Sequence, residues 1–435
     1  DRVQAPSGAV SPTVGSPHRL DPRASRLLGI ASVTFAVGLA LGLALHGNQV
    51  DIDVYLMGGA HFLSPNLYSL TSDHLYFTYP PFAALIFAPL AQLSRTSAQV
   101  VWGLASVGAL GWLLYVSLRS VCPTAPTAEA RRRAILLLAP AMVLDPVLVT
   151  AYLGQVNILI AALVVADLGS RSDRLPRGVL TGIAGAIKLT PLIFVPYLFL
   201  TRQYRAGCVA IGSFLACSAV GAVVSPRASW LFWTRDMFDS ARAGFLLSIS
   251  DQNLRSAAMR IAHGPVPTSV LVPLSIAIAL MGLVIAAWAY RTSSPMLGVL
   301  VCATTGLVVS PITWSHHLVW AVPAILWLAL APDRPVNGKG WAIGVALFFW
   351  AGPIWWVPSS DWGLHEKVWE LVVGDSYLWV MLAFIIGVPV LLGRRRAWSS
   401  PAEAPAEAEA VPARRARRQV VPEVRLRRGR VGVSH

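Results

Sequence analysis

Long apolar stretches alternate with short polar links along most of this chain, and the links carry most of its arginines. That alternation predicts membrane-spanning helices. The first stretch runs from Leu27 to about Leu45, with Arg19, Arg23 and Arg26 before it. Basic residues gather on the cytoplasmic side of membrane helices, so the N-terminus is expected inside. Residues 46–97 then hold three aspartates and one arginine, Arg95, and read as an external segment. Within it Pro81–Leu93 is apolar but too short for a crossing, which suits a helix lying in the outer interface.

Spans at about 98–118, 134–152 and 155–169 put Arg119, Arg131–Arg133 and then Arg171, Arg174 and Arg177 inside. Residues 178–200 are apolar, yet Arg202 and Arg205 follow them. A hairpin bent near Lys188-Leu189-Thr190-Pro191 satisfies both facts and leaves Lys188 at the outer level. Further spans are expected at 206–224, 269–290, 295–311, 317–331, 340–357 and 376–393. The expected fold is an all-α polytopic membrane protein of about twelve transmembrane helices, with interfacial helices in its external loops. Its parts are a cytoplasmic tail (1–26), a membrane domain (27–393; external loops 46–97, 225–267 and 358–375) and a disordered basic cytoplasmic tail (394–435).

Composition agrees. Of 435 residues 55% are hydrophobic and only 13% charged, where a soluble domain is usually about a quarter charged. The net charge of +14 is no nucleic-acid signal, because eleven arginines lie between Arg394 and Arg430 and most others flank apolar stretches. The cysteines (Cys122, Cys208, Cys217, Cys302) fall in apolar segments or on the inner side, so no disulfide is expected. A polar tail precedes the first apolar run, which does not suit a cleavable signal peptide. There is no evident internal repeat, against an inverted-repeat transporter.

The candidate chemistry collects at the outer level. Asp51 and Asp53 follow the first span, where a carboxylate suits either a general base for a hydroxyl nucleophile or an ordinary helix cap. Lys188 is the one lysine in an apolar stretch; its point charge suits a phosphate, and its place at a bend also suits snorkelling. His316 and His317 end a span beside Trp314 and Trp320, able to bond a sugar or phosphate. No further ligand at a readable spacing makes them a metal site. Segment 225–267 carries Arg227, Arg235, Arg242, Arg255 and Arg260 on the arginine-poor side, which points to lipid headgroups or substrate phosphates. Its SWLFWTRDMF piece reads as an interfacial helix, and Asp251, Gln252, Asn253 and Arg255 make a denser polar cluster. Gly154, Gln155 and Asn157 form a polar turn between spans.

Taken in order, these pieces resemble a known family. Asp51-x-x-Val54-Tyr55 is followed by Tyr79-Pro80-Pro81-Phe82, GQVN (Gly154–Asn157), IKLTP (Ile187–Pro191), DQNLRS (Asp251–Ser256) and SPITWSHH (Ser310–His317). The series is similar to the polyprenyl-phosphate-mannose-dependent mannosyltransferases of the GT-C superfamily, nearest to the branch that extends phosphatidylinositol mannosides with α-1,2-linked mannose. It covers roughly residues 27–393. The resemblance implies a multi-pass plasma-membrane enzyme, a lipid-linked sugar donor, a glycolipid acceptor and inverting transfer on the outer face; no cofactor is expected, and no residue is assigned to a metal.

It also implies roles. Asp51 matches the family's acid and is favoured as the base, with Asp53, an extra acid, as the alternative base or a residue that orients the acceptor. Lys188 would hold the donor phosphate with Arg255, and His316 and His317 would contact the donor sugar or phosphate. Gln252, Asn253 and Gln155 would partner hydroxyls, with Tyr55, Tyr79 and Asn157 serving the acceptor or the scaffold. Where the family more often has Asn-Gln-Ser this chain has Asp251-Gln252-Asn253, so the first and third positions do not transfer directly. Two other readings compete: a transferase using another acceptor or sugar, as in lipomannan branching or arabinofuranosyl transfer, and a lipid-linked-sugar transporter. The transporter predicts ionisable residues along a path through the membrane, whereas here they collect at one face.

Overall fold

The computed structural model describes residues 21–169, 175–244, 247–358 and 367–399. Most of both expected tails, Arg171 and Arg174, and the 359–366 part of the last external loop with Asp361 and Glu366 lie outside the described residues. The described chain as far as Arg394 forms one compact unit. One two-stranded hairpin apart, the described elements are helices.

Helix α1 (Pro22–His46) leads through a short break into α2 (Val50–Ala60). Next come the hairpin β1–β2 (Thr71–Ser72 and Leu75–Tyr76) and the short helix α3 (Pro81–Phe87). Asp73 and His74 both take positive φ in the hairpin's two-residue turn, the geometry that matches strand twist. The expected interfacial helix is thus α3 and a following short turn. Helix α4 (Arg95–Val121) starts at Ser94, whose hydroxyl accepts from the Ser97 amide as a cap.

Helix α1 buries Ser25, Gly29, Ser32, Ala36, Ala40 and Ala44, one small residue per turn. That stripe brings it close against α4, where a Cβ at Gly103 would touch the Ala44 methyl at 3.4 Å. Its other faces turn Leu27, Ile30 and Phe35 outward, as α14 (described below) turns out Ile276 and Leu280. Such outward apolar faces need lipid as their solvent.

The span expected at 134–152 is broken into α5 (Thr127–Leu136), α6 (Leu138–Met142) and α7 (Asp145–Leu153). Pro140 and Pro146 lack the amide protons a continuous helix needs. The freed groups find partners: Ser32 Oγ donates to Leu136 O and accepts from the Ala139 amide. Asp145 accepts from Trp355 Nε1 at 2.6 Å and from the Tyr377 hydroxyl at 2.7 Å. Non-helical backbone survives at membrane depth where protein covers it in this way.

Helix α8 (Asn157–Val164) ends in a wider turn over 165–169, where Asp167 accepts from the Gly178 and Thr181 amides and starts α9 (Val179–Ile187). The chain turns at Lys188–Thr190 and returns through α10 (Phe194–Leu200), so the expected hairpin is present. Helix α11 (Tyr204–Val224) precedes α12 (Pro226–Thr234) and α13 (Leu254–Ile261). The interfacial helix expected from SWLFWTRDMF is α12, with Phe232 buried and Trp230 exposed. Helices α14 (Thr268–Thr292), α15 (Pro295–Val309), α16 (Ala321–Leu330), α17 (Gly338–Ala351), α18 (Val368–Gly374) and α19 (Ser376–Ser399) follow.

Among the described residues five helices, α1, α4, α11, α14 and α19, are long and apolar enough to cross a membrane alone. The chain is therefore an all-α membrane protein. The count of twelve is not reached by full-length helices, because several expected spans are short or broken by proline.

Candidate active site

Three residues separate the end of α1 from the start of α2, so the first turn of α2 projects from the membrane end of a span. Asp51 and Asp53 both lie in that turn. Two positions apart on a helix means roughly 200° of rotation, so they point to different faces. Asp53 turns to α4, where the Arg95 guanidinium donates to both its oxygens at 2.7 Å. Asp51 turns the other way and lines a cavity of about 310 Å³ with Tyr79, Gln155, Lys188 and His317.

Close approach of the α7–α8 turn shapes the wall behind Asp51. Gly154 ends α7 at φ 77°, the left-handed region, and a Cβ there would stand 2.3 Å from Ile52 Cγ1. Only glycine lets this turn reach α2. Gln155 then meets two phenols: Tyr55 and Tyr79 donate to its Oε1 at 3.0 and 3.2 Å. With the amide oxygen committed, its NH2 group is left to the Asp51 carboxylate. Tyr55 is itself fixed by stacking on Phe87, with centroids 4.1 Å apart. Burial pushes the Asp51 carboxyl up to about 6, against the downward pull of the Gln155 amide and the Lys188 charge.

Lys188 sits where the hairpin breaks, in extended conformation after α9. Its ammonium donates to Asn157 Oδ1 at 2.7 Å and to His317 Nε2 at 3.1 Å, and lies 5.6 Å from the Tyr79 ring centroid. An ammonium has no acceptor, so His317 offers a lone pair at Nε2. The His316 ring stacks edge-on against His317 at 4.8 Å but does not line the cavity, and its carbonyl accepts from Thr150 and Asn157.

The DQN cluster behaves otherwise. Asp251, Gln252 and Asn253 are fully buried and lie off the cavity. Gln252 donates to the Ile249 and Gly374 carbonyls and accepts from the Tyr377 and Leu378 amides, leaving nothing for a sugar. Asp251 accepts from the Thr313 amide at 2.7 Å, Asn253 Nδ2 at 2.8 Å and the Ser256 hydroxyl at 2.6 Å. The hydroxyl-binding roles expected of Gln252 and Asn253 do not fit these positions: the cluster clamps the loop that carries His317. Arg255 also misses the cavity wall, but donates to Ser240 Oγ, which lines it.

The lining also includes Tyr76, Asp236, Arg242 and Trp314, none of which the sequence singled out individually as a site residue. Arg242 packs over the Tyr76 ring at 4.2 Å, donates to the Tyr68 carbonyl and faces Asp236 at 3.5 Å. The surplus of outer arginines flagged the segment, but nothing in their spacing separated Arg242 from Arg227. Among the described residues no group of three or more His, Cys, Asp or Glu is placed to hold a metal, and the four cysteines are free.

The cavity therefore brings the Asp51 carboxylate together with two cations, Lys188 and the Asp236-paired Arg242, between aromatic walls. Comparison with known proteins gives this arrangement a context. The profile of glycosyltransferase family 87 matches residues 77–311. The chain is 33% identical to the polyprenol-phosphate-mannose-dependent α-(1-2)-phosphatidylinositol mannoside mannosyltransferase of Mycobacterium tuberculosis, over 80% of this chain and 88% of that one. To the Mycolicibacterium smegmatis protein of the same name it is 31% identical, over 90% and 93%. A Mycobacterium tuberculosis relative named for a phosphatidylinositol pentamannoside is also 31% identical, over 88% and 90%. No solved structure matches the chain.

Proposed function

The chain belongs to glycosyltransferase family 87, and from that premise we propose that it transfers mannose from polyprenol-phosphate-mannose to a phosphatidylinositol mannoside, with an α-1,2 linkage. The observation that carries this reading is the Asp51 carboxylate on one aromatic cavity with Lys188 and His317, while the Asp236 carboxylate on the same wall is taken up by Arg235 and Arg242. Relatives that match most of this chain are named for that donor and acceptor.

Asp51 accepts the proton of the acceptor hydroxyl as its oxygen attacks the anomeric carbon. The bond from that carbon to the phosphate oxygen breaks, and its electron pair leaves with the polyprenyl phosphate. Lys188, steadied by Asn157 and His317, meets the growing charge on that phosphate. Arg242 stands on the same cavity as a second cation. One displacement inverts the centre, so an α product needs a donor phosphate in the β configuration. Retention would call for a nucleophilic carboxylate beside the base; Asp53 faces away to Arg95, Asp236 is paired with Arg235 and Arg242, and Asp239 accepts from the Ala241 amide.

We further read the membrane part as a GT-C-type arrangement of about twelve crossings in the plasma membrane, with the cavity on the outer face. Arg23, Arg26, Arg119 and Arg131–Arg133 collect at one end of α1, α4 and α5, while Asp51, Asp53 and Asp73 lie at the other. The test is transfer of radiolabelled mannose from polyprenyl-phosphate-mannose to defined phosphatidylinositol mannosides by the purified protein. An α-1,2-mannosylated product is expected, and absence of product with every mannoside tried overturns the reading.

A further inference from the structure

At the far end of α1 from the cavity, α1 and α5 enclose a groove of about 670 Å³. Twenty-five helical residues rise roughly 37 Å, so this groove and Asp51 belong to opposite leaflets. Its walls are apolar: Gly29, Ile30 and Val33 on α1, Ile135 and Leu136 on α5. Gly29 opens the channel floor, since a Cβ there would already touch Ile135 Cγ2 at 3.4 Å.

Its mouth carries Arg26, Arg131 and Arg132. Glu129 occupies Arg132 through bonds of 2.8 Å, with a further bond from Arg132 to Ser25 Oγ, and also pairs with Arg133 at 2.6 Å. Arg26 and Arg131 have no hydrogen-bond or ion-pair partner among the described residues. One carboxylate therefore stands among four arginines, and two exposed guanidinium groups flank an apolar slot at the membrane surface.

We propose that the groove binds an anionic glycerophospholipid, with its phosphate between Arg26 and Arg131 and one acyl chain along Gly29–Val33 and Ile135. Guanidinium forks match phosphate oxygens, and the apolar slot supplies what a free anion cannot use. Basic pockets between spanning helices hold acidic headgroups by the same physics.

Native mass spectrometry of the detergent-solubilised full chain tests this, using phosphatidylglycerol and phosphatidylcholine with identical acyl chains. Phosphatidylglycerol should be retained preferentially. Arg26→Gln with Arg131→Gln should cut that retention by about five-fold for each arginine removed. Val33→Trp fills the slot with both charges intact and should also lower retention. Equal retention of the two lipids by wild type, or undiminished phosphatidylglycerol on either variant, overturns the proposal. So does loss of the bound lipid on adding inorganic phosphate, because a free anion would then suffice.

Discussion

Arg95 grips Asp53 through two parallel hydrogen bonds of 2.7 Å, while Asp51, two residues earlier on α2, faces the cavity. The pair that shares one helical turn is therefore divided between an ion pair and the cavity, and in the proposed function only Asp51 meets the acceptor. Asp51→Asn should lower the transfer rate by about 10²–10⁴-fold, the usual contribution of a general base. Asp53→Asn should leave it within a few-fold and cost about 0.5 kcal/mol or less, since its partner is largely exposed. Initial rates with saturating donor check both. Equal losses in the two variants would reject the division of roles.

The pH profile should report the same carboxylate. Burial holds Asp51 near 6, above its ordinary range, and the working base is the ionised form. The rate at limiting substrate should thus rise with pH, pass half-maximum near 6 and level off above it. Lys188 pulls that value down, so Lys188→Met should move the half-maximum upward as well as slow transfer. A variant that is slower with an unmoved profile would mean that Lys188 does not act on Asp51.

Asp251 invites a different prediction, because its acceptor atoms, more than its charge, hold the His317 loop. Asp251→Ala strands the Thr313 amide and should cost about 2–4 kcal/mol, seen as a lower melting temperature in detergent. Asp251→Asn keeps one oxygen for the Thr313 amide and should retain most of the stability and activity. A donor KM that rises in the Asn variant with stability unchanged would instead return this residue to the substrate.

How far these roles could be read from the chain depends on where their physics lies. The long apolar helices, the short helix at Pro81–Phe87 and the hairpin at Lys188 were legible, since hydropathy and helix breakers act locally along the sequence. The break at Pro140 was written in the residues too, but its tolerance depends on Ser32, more than a hundred positions away. Lys188 stood out as a charge among apolar neighbours. Gln252 looked like a ligand for the same reason, being polar at the right depth, and only the fold gives it Gly374 and Tyr377 as partners. Arg242 shows the converse: one arginine among several, distinguished by Tyr76 and Asp236, which lie on other turns of chain.

Gly154 tests whether the site depends on a close approach of backbone rather than on any reacting group. Alanine there must take φ 77° and set its methyl 2.3 Å from Ile52 Cγ1 and 2.9 Å from Gln49 Oε1. Gln49 cannot move freely, since its amide donates to the Ala151 and Tyr152 carbonyls at 2.9 and 2.8 Å. Strain and overpacking together should cost about 2–4 kcal/mol. Relief by moving the α7–α8 turn away from α2 would separate Gln155 from Tyr55 and withdraw its NH2 from Asp51. Because that amide lowers the Asp51 value, Gly154→Ala should shift the rate profile to higher pH, on top of any loss of folded protein. Measured per folded molecule, an unchanged profile would show that Gln155 keeps its place without the glycine, and that the turn matters for stability alone.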